Sequence, residues 1–433
     1  MRNDRSNTRP AGLSSLDGSA RRLARALALA AALASLAGTG DAHGADRSPG
    51  VAVPGVGGRV HLETRVRVEH ADIDGLDDAL ATTLRARLGY GTSVWHGLSA
   101  FVEGEGVLAV DDDAYFDAVS APNGESVIAD PEAIELNRAF LRYTDEQGRG
   151  EVVAGRQRIL FDDQRFVGNV GWRQNEQTFD AALARTSMGI DGLSLTYAYL
   201  WEIQRIFGDD GPSNRRDFDS NTHLLRVAYD VHPAFQPVAF VYLTDFDNSP
   251  GNSADTFGLR ATGSHGLGEG LTARYQLSYA LQTDGGSNAV DYEAHYALAD
   301  ATLVSGTWGA LGAGFELLGS DDGTAVFVTP LATAHKFNGF ADAFLNNGGA
   351  SGLRDVYASY APKLPLGLGG KLVYHYFEAD HGGAELGHEF DAVLVRGFGK
   401  HVKVVGKFGY FDGSGSAAPP DTVRASLEAN VTF

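Results

Sequence analysis

Cysteine is missing altogether, and only two methionines and four tryptophans occur in 433 residues. Without a thiol there is no disulfide scaffold, thiolate zinc site, iron–sulfur cluster or cysteine nucleophile. Positive charge is scarce as well: 35 Lys and Arg against 55 Asp and Glu give a formal net charge of −20. That balance argues against a nucleic-acid partner, which normally meets a basic patch or stripe. Long apolar runs are lacking save one near the N-terminus, which excludes a bundle of membrane-spanning helices. At 43% hydrophobic and 21% charged, the chain is too apolar to stay disordered. What it has in plenty is glycine, 55 of them, with 16 tyrosines and 23 phenylalanines, a composition suited to strands and tight turns.

The one apolar run belongs to a leader. Arg21, Arg22 and Arg25 precede Leu23–Ala37, and small residues at Gly40, Ala42 and Gly44 offer cleavage sites. Ala and Leu cover every face of that run, so a buried amphipathic helix is a poor alternative. Residues 1–44 therefore read as a secretory signal peptide. Its removal takes away six Arg and three Asp, leaving 29 basic against 52 acidic side chains and a net charge of −23. An exported, acidic, thiol-free chain fits a bacterial periplasm or outer membrane.

From residue 59 onward the pattern has period two. Val60, Leu62, Thr64, Val66 and Val68 alternate with Arg59, His61, Glu63, Arg65, Arg67 and Glu69. Leu271, Ala273, Tyr275, Leu277, Tyr279 and Leu281 do the same against polar neighbours, and Val423 to Phe433 alternates to the terminus. Similar segments predict about eighteen strands of roughly ten residues, the length that crosses a bilayer at a tilt. Alternation is blurred in 177–187 and 236–245. Long acidic connections, such as the one carrying Asp111, Asp112, Asp113 and Asp117, take turns with short Gly- or Pro-marked ones. A closed antiparallel barrel with both termini on one side produces that rhythm. Tyr90, Tyr197, Tyr199, Trp201, Tyr292, Tyr296, Tyr374, Tyr376 and Tyr410 fit interfacial girdles. A soluble β-sandwich accounts less well for the charged polar faces, and a solenoid would need a fixed repeat that is absent. The fold class expected is a single-domain transmembrane antiparallel β-barrel over residues 58–433.

Three stretches carry a resemblance. The ending Leu427-Glu-Ala-Asn-Val-Thr-Phe433 is similar to the assembly signal of bacterial outer-membrane barrels. Gly155-Arg-Gln-Arg-Ile159 leads through Phe161-Asp-Asp-Gln-Arg-Phe166 to a motif with Trp172, Arg173, Gln174 and Asn175. Later comes a run from Phe327 to Leu345, followed by Gly352-Leu-Arg-Asp-Val-Tyr357. The chain resembles the alginate export family of outer-membrane porins. The resemblance implies an eighteen-stranded barrel and a basic pore that passes a polyuronate.

Parity by itself places a cationic set on the lumenal face, headed by Arg65, Arg67, Arg85, Arg87, Arg138, Arg156, Arg158 and Arg274. Guanidinium groups match carboxylates bidentately, so such a ladder could hand an anionic polysaccharide from site to site; bracing by Arg–Glu pairs is the plainer alternative. The long 319–352 connection, with Pro330, His335, Lys336, Asn338 and Asp342, is expected to fold against or into the mouth and gate it, a packed extracellular cap without gating being the alternative. No cofactor or metal is expected. The loop starting at Asp245 lacks the turn glycine of a calcium site, and His388-Glu389 lacks the second His of a zinc motif. With no nucleophile elbow or P-loop, enzyme activity is not expected; an outer-membrane lipase is the alternative from another class. Expected partners are the polysaccharide, outer-membrane lipid and lipopolysaccharide, and periplasmic secretion partners. A solute porin importing small acids or oligosaccharides is the alternative on the same scaffold.

Overall fold

The computed structural model describes residues 50–52 and 57–433; the leader proposed for 1–44 lies outside the described residues. Eighteen long antiparallel strands form one sheet, with the two-residue strand Val51–Ala52 paired beside the start of the first. They are β1 (Arg59–Ile73), β2 (Ala79–Gly91), β3 (Leu98–Ala109), β4 (Ala133–Thr144), β5 (Gly150–Gln157) and β6 (Thr178–Thr186). Next come β7 (Leu193–Gln204), β8 (Asp217–Tyr229), β9 (Gln236–Thr244), β10 (Ala254–Gly268), β11 (Leu271–Asp284) and β12 (Glu293–Ser305). The last six are β13 (Gly309–Leu318), β14 (Leu353–Pro362), β15 (Leu368–Glu378), β16 (Glu385–Phe398), β17 (Val402–Gly413) and β18 (Thr422–Thr432). Each strand pairs with its sequence neighbour, and β18 returns to β1 from Glu63 opposite Thr432 to Ile73 opposite Thr422. The sheet closes and leaves no free edge, the arrangement a bilayer demands of strands.

One end carries turns of two to six residues; the other carries loops of five to thirty-four. The tightest turn, Glu269-Gly270, has positive φ at both positions (50° and 74°), the mirror-image turn whose twist matches flanking strands. The loop rhythm is less regular than expected: residues 74–78 and 379–384 make loops as short as the turns opposite. Three loops are long, at 110–132, 158–177 and 319–352. We call them the second, third and seventh loops.

Outside, apolar side chains face lipid, among them Leu88, Leu141, Leu259 and Leu394, each more than half exposed. Tyr197, Trp201, Tyr374 and Tyr410 lie with them, as girdle residues should. Two expected members do not. Tyr296 is fully buried inside, donating to Glu316 at 2.8 Å, and Tyr292 donates to Gln282. The loop end of the inner face of β12 is lined by Ala294, Tyr296 and Leu298, with Asp300 further along, so Glu293 points outward. The cause lies within the barrel, where Ile159, Phe161 and Val167 of the third loop and Phe327, Leu331 and Phe344 of the seventh form a hydrophobic core with wall residues from β6 round to β17, among them Phe179, Phe240, Tyr296, Phe377 and Phe411. At these positions the wall is lined for packing rather than for water.

Candidate channel constriction

The third and seventh loops meet at mid-barrel. Backbone bonds join them, from Gly168 N–H to Leu331 C=O at 2.9 Å and from Thr333 N–H to Gln164 C=O at 3.0 Å. Arg173 of the third loop reaches Asp342 of the seventh at 2.8 Å, and the Trp172 indole stacks on the His335 ring at 4.3 Å, within 2° of parallel. Arg165 donates to Asn338 and pairs with Glu316 of β13. None of these contacts is local in sequence.

The third loop rests on the wall of β1 and β2. Arg65 donates to the carbonyl oxygens of Gly171, Trp172 and Arg173 at 3.0–3.3 Å, and Arg85 donates to that of Gln174 at 3.1 Å. The Arg67 guanidinium lies 3.7 Å from the centroid of the Trp172 ring, and the Lys407 ammonium of β17 lies 3.4 Å from it. Asp130 of the second loop completes the anchorage, accepting from Arg67 and from the Gln174 amide. Asn175 is fully buried and donates to the carbonyl of Ile206.

The seventh loop rests on β13–β17. The amides of Phe340 and Ala341 donate to the carboxylates of Asp391 and Glu389, at 3.2 and 2.7 Å. Asn338 donates to Glu316 and Asp355. Gly339 sits at φ 91° with the Glu389 carboxylate where a Cβ would be, so the close approach requires glycine twice over. Pro330 faces a cavity at the loop end. Lys336 donates to the Asp163 carbonyl at 2.8 Å, its pKa pulled down by burial.

Charge in the constriction is closely compensated. Arg67, Arg85 and Arg87 are buried among Glu63, Glu69, Glu105, Glu176 and Glu428. Arg138 grips Glu103 with two bonds of 2.9 Å, and Arg156 grips Asp180 with bonds of 2.8 and 2.7 Å. Arg158 lies one residue beyond the end of β5 and pairs with Glu176 of the same loop. Burial alone would raise the Glu176 carboxyl, yet Arg158 and Arg87 hold it well below the usual range. Burial acts likewise on Asp342, where His335, Arg173 and Arg424 overcome it and keep the group ionised. His335 goes the other way: burial outweighs the pull of Asp342 and pushes it down to about 3. It is therefore neutral and donates from Nδ1 to Asp342 at 2.6 Å. Of the eight predicted arginines, Arg274 alone is classed as exposed; it stands on the inner face of β11 toward the turn end, where Lys371 of β15 also lies exposed.

Sequence reasoning passed over Asp130, Arg165, Glu176, Arg205 and Arg424. Glu176 stands inside the very motif that carried the resemblance, and Arg424 alternates correctly on β18, so both had a signal. Asp130, Arg165 and Arg205 act from loops, where no periodicity says which way a side chain points.

Two cavities of about 280 Å³ each flank the loop junction. One opens among the loops and is lined by Arg173, Arg205, Phe207, Pro330 and His335; the other is lined by Asp300, Lys336, Tyr357, Lys371 and His375.

Comparison with known proteins agrees with this architecture. Solved barrels superpose over most of the chain at low identity. OpdK of Pseudomonas aeruginosa, solved with vanillate, gives a TM-score of 0.66 at 14% identity, covering 86% of this chain and 98% of its own. OccK8 (OprE) of the same organism gives 0.65 at 15%, covering 87% and 98%. OccAB2 of Acinetobacter baumannii gives 0.64 at 14%, covering 86% and 98%. No curated protein sequence matches the chain. The alginate export family profile matches residues 63–310, more than half of the chain. The chain is thus an outer-membrane β-barrel channel and belongs to the alginate export family.

Proposed function

We propose that this channel passes small carboxylate-bearing solutes, such as sugar acids and short oligouronates, rather than a long polymer. The observation that carries this reading is the interlocking of the third and seventh loops at mid-barrel, with bonds between the loops and to opposite walls. With room for about one ring in each cavity of about 280 Å³ on either side of such a junction, solutes of one or two rings suit the path. Guanidinium and ammonium groups near the path favour anions, while the carboxylates paired with them keep each site from binding too tightly to release. Family membership favours a second reading, transport of a polyuronate through the same path.

Liposome swelling separates the two. Vesicles holding the purified barrel, placed in isosmotic sodium glucuronate and then in oligouronates of rising length, should swell at rates that fall steeply beyond about two rings. Rates that stay flat with length would establish the polymer reading instead. Lys371→Glu should weaken anion preference in reversal-potential measurements; unchanged preference would remove the turn-end cavity from the path.

A further inference from the structure

Within the loop-end cavity the cations differ in one respect. Arg173 and Arg424 are committed to Glu69 and Asp342. Arg205, from the loop between β7 and β8, has no carboxylate within ion-pair distance among the described residues; its guanidinium carbon lies 4.4 Å from the Phe218 ring centroid and 5.2 Å from that of Phe207. Burial and the neighbouring Arg215 push its pKa down to about 10, so it remains charged at neutral pH while lacking a counter-charge. A half-buried cation set against aromatic rings and repelled by a like charge gains most from an incoming anion.

The rest of the lining decides what sort of anion. Val127, Ile206, Pro330 and Leu345 present apolar surface beside Arg205. The volume, about 280 Å³, is nearly twice the ~150 Å³ that suffices for benzene. That is room for one ring and its substituents. A polyuronate carries a carboxylate on every ring, and its next one would meet Arg173 and Arg424, which are already paired, and the charge of Asp342.

We propose that this cavity is an outer capture site for a one-ring carboxylic acid with an apolar face, its carboxylate held by Arg205. The site rests on the reading of the chain as a carboxylate channel, and it lies on the loop side of the constriction. Aromatic neighbours hold the guanidinium without neutralising it, which is what a receptor for a transient anion needs.

Benzoate binding by isothermal titration calorimetry, on the full chain folded in detergent micelles, tests the assignment. Wild type should bind benzoate and discriminate against benzyl alcohol, which has the ring without the charge. Arg205→Gln should weaken benzoate by about tenfold or more, Arg205→Lys by less, and Arg149→Gln, in the exposed turn between β4 and β5, should leave it unchanged. Heat-modifiable gel mobility identifies variants that have folded, and Arg205→Lys serves as the conservative control. Equal affinity in wild type and Arg205→Gln overturns the proposal, as do equal binding of benzyl alcohol and no wild-type binding. Reversal potentials report separately on the channel reading. A cation-preferring wild-type channel that still binds benzoate through Arg205 would sink that reading and leave the site standing.

Discussion

The third and seventh loops reach the same depth in one barrel, yet they are held by opposite chemistry. The third offers backbone carbonyls to the arginines of β1 and β2. The seventh offers backbone amides to the carboxylates of β16. Each loop thereby satisfies polar backbone that would otherwise be stranded inside the barrel. The difference teaches that a charged barrel wall can serve as a socket for main chain, with the sign of the wall choosing carbonyl or amide. It also recasts the arginine ladder: several of its members face protein first, and whatever passes must compete with bonds already made.

Disrupting the basic socket at its centre should have the largest effect. Arg85 is fully buried between Glu63, Glu105 and the Gln174 carbonyl. Arg85→Met would leave those carboxylates undercompensated, a loss of about 3–5 kcal/mol in urea unfolding of the detergent-folded barrel. A loss below about 1 kcal/mol would mean that water or a rotated neighbour replaces the guanidinium.

Next in size come two substitutions that set the sockets against each other. Arg65→Met removes the donor to three third-loop carbonyls, and Asp391→Asn weakens the acceptor for the Phe340 amide. Each should release its own loop by about 1.5–3 kcal/mol, read as faster amide exchange. Exchange should rise in 169–175 for the first and in 338–342 for the second. Faster exchange in both loops from either change would show that they move as one body.

The smallest effect, taken over a single pH unit, is a slope with pH. His335 is pushed from 6.5 to about 3 by burial, so an undocked seventh loop binds a proton there that the docked loop refuses. Docking is then fully favoured above about pH 6.5 and weakens as pH falls toward 3, by at most about 1.4 kcal/mol per unit. The depressed Asp342 carboxyl adds the same sign at still lower pH, its contribution present above the ordinary carboxylate range and lost on acidification. Channel current noise should grow on acidification in wild type and change less in His335→Gln. Equal slopes would place the sensitive group elsewhere.

Much of the barrel was legible because lipid on one side and ionic lumen on the other force strict alternation; β1, β2, β11 and β18 read almost residue for residue. The blurred segment at 236–245 has a physical cause. Val238, Phe240 and Tyr242 of β9 pack inward on the loop core while Val241 and Leu243 face outward, so both faces are apolar and the period vanishes. In β12 the same core drew Tyr296 inward from its expected outer face. Bulges hide more: the ladder between β3 and β4 slips at Glu103/Gly104, so Asn137 and Arg138 are both buried where alternation would expose one. The candidate site was legible as residue types, since Trp172, Arg173, His335 and Asp342 do come together. Their partners across the lumen were not, because a contact such as Arg173 with Glu69, 104 positions apart, leaves no trace in local pattern.

The apolar core inside the barrel has a bearing on how such a pore can change over time. A water-filled channel can be widened one side chain at a time, each substitution answering mainly to the solvent beside it. Here Phe161, Phe327 and Phe344 interlock with the wall, and trimming any of them opens a void that its neighbours must repack. New specificity in this barrel should therefore arrive in coupled sets of substitutions, with the loop and its facing strand altered together.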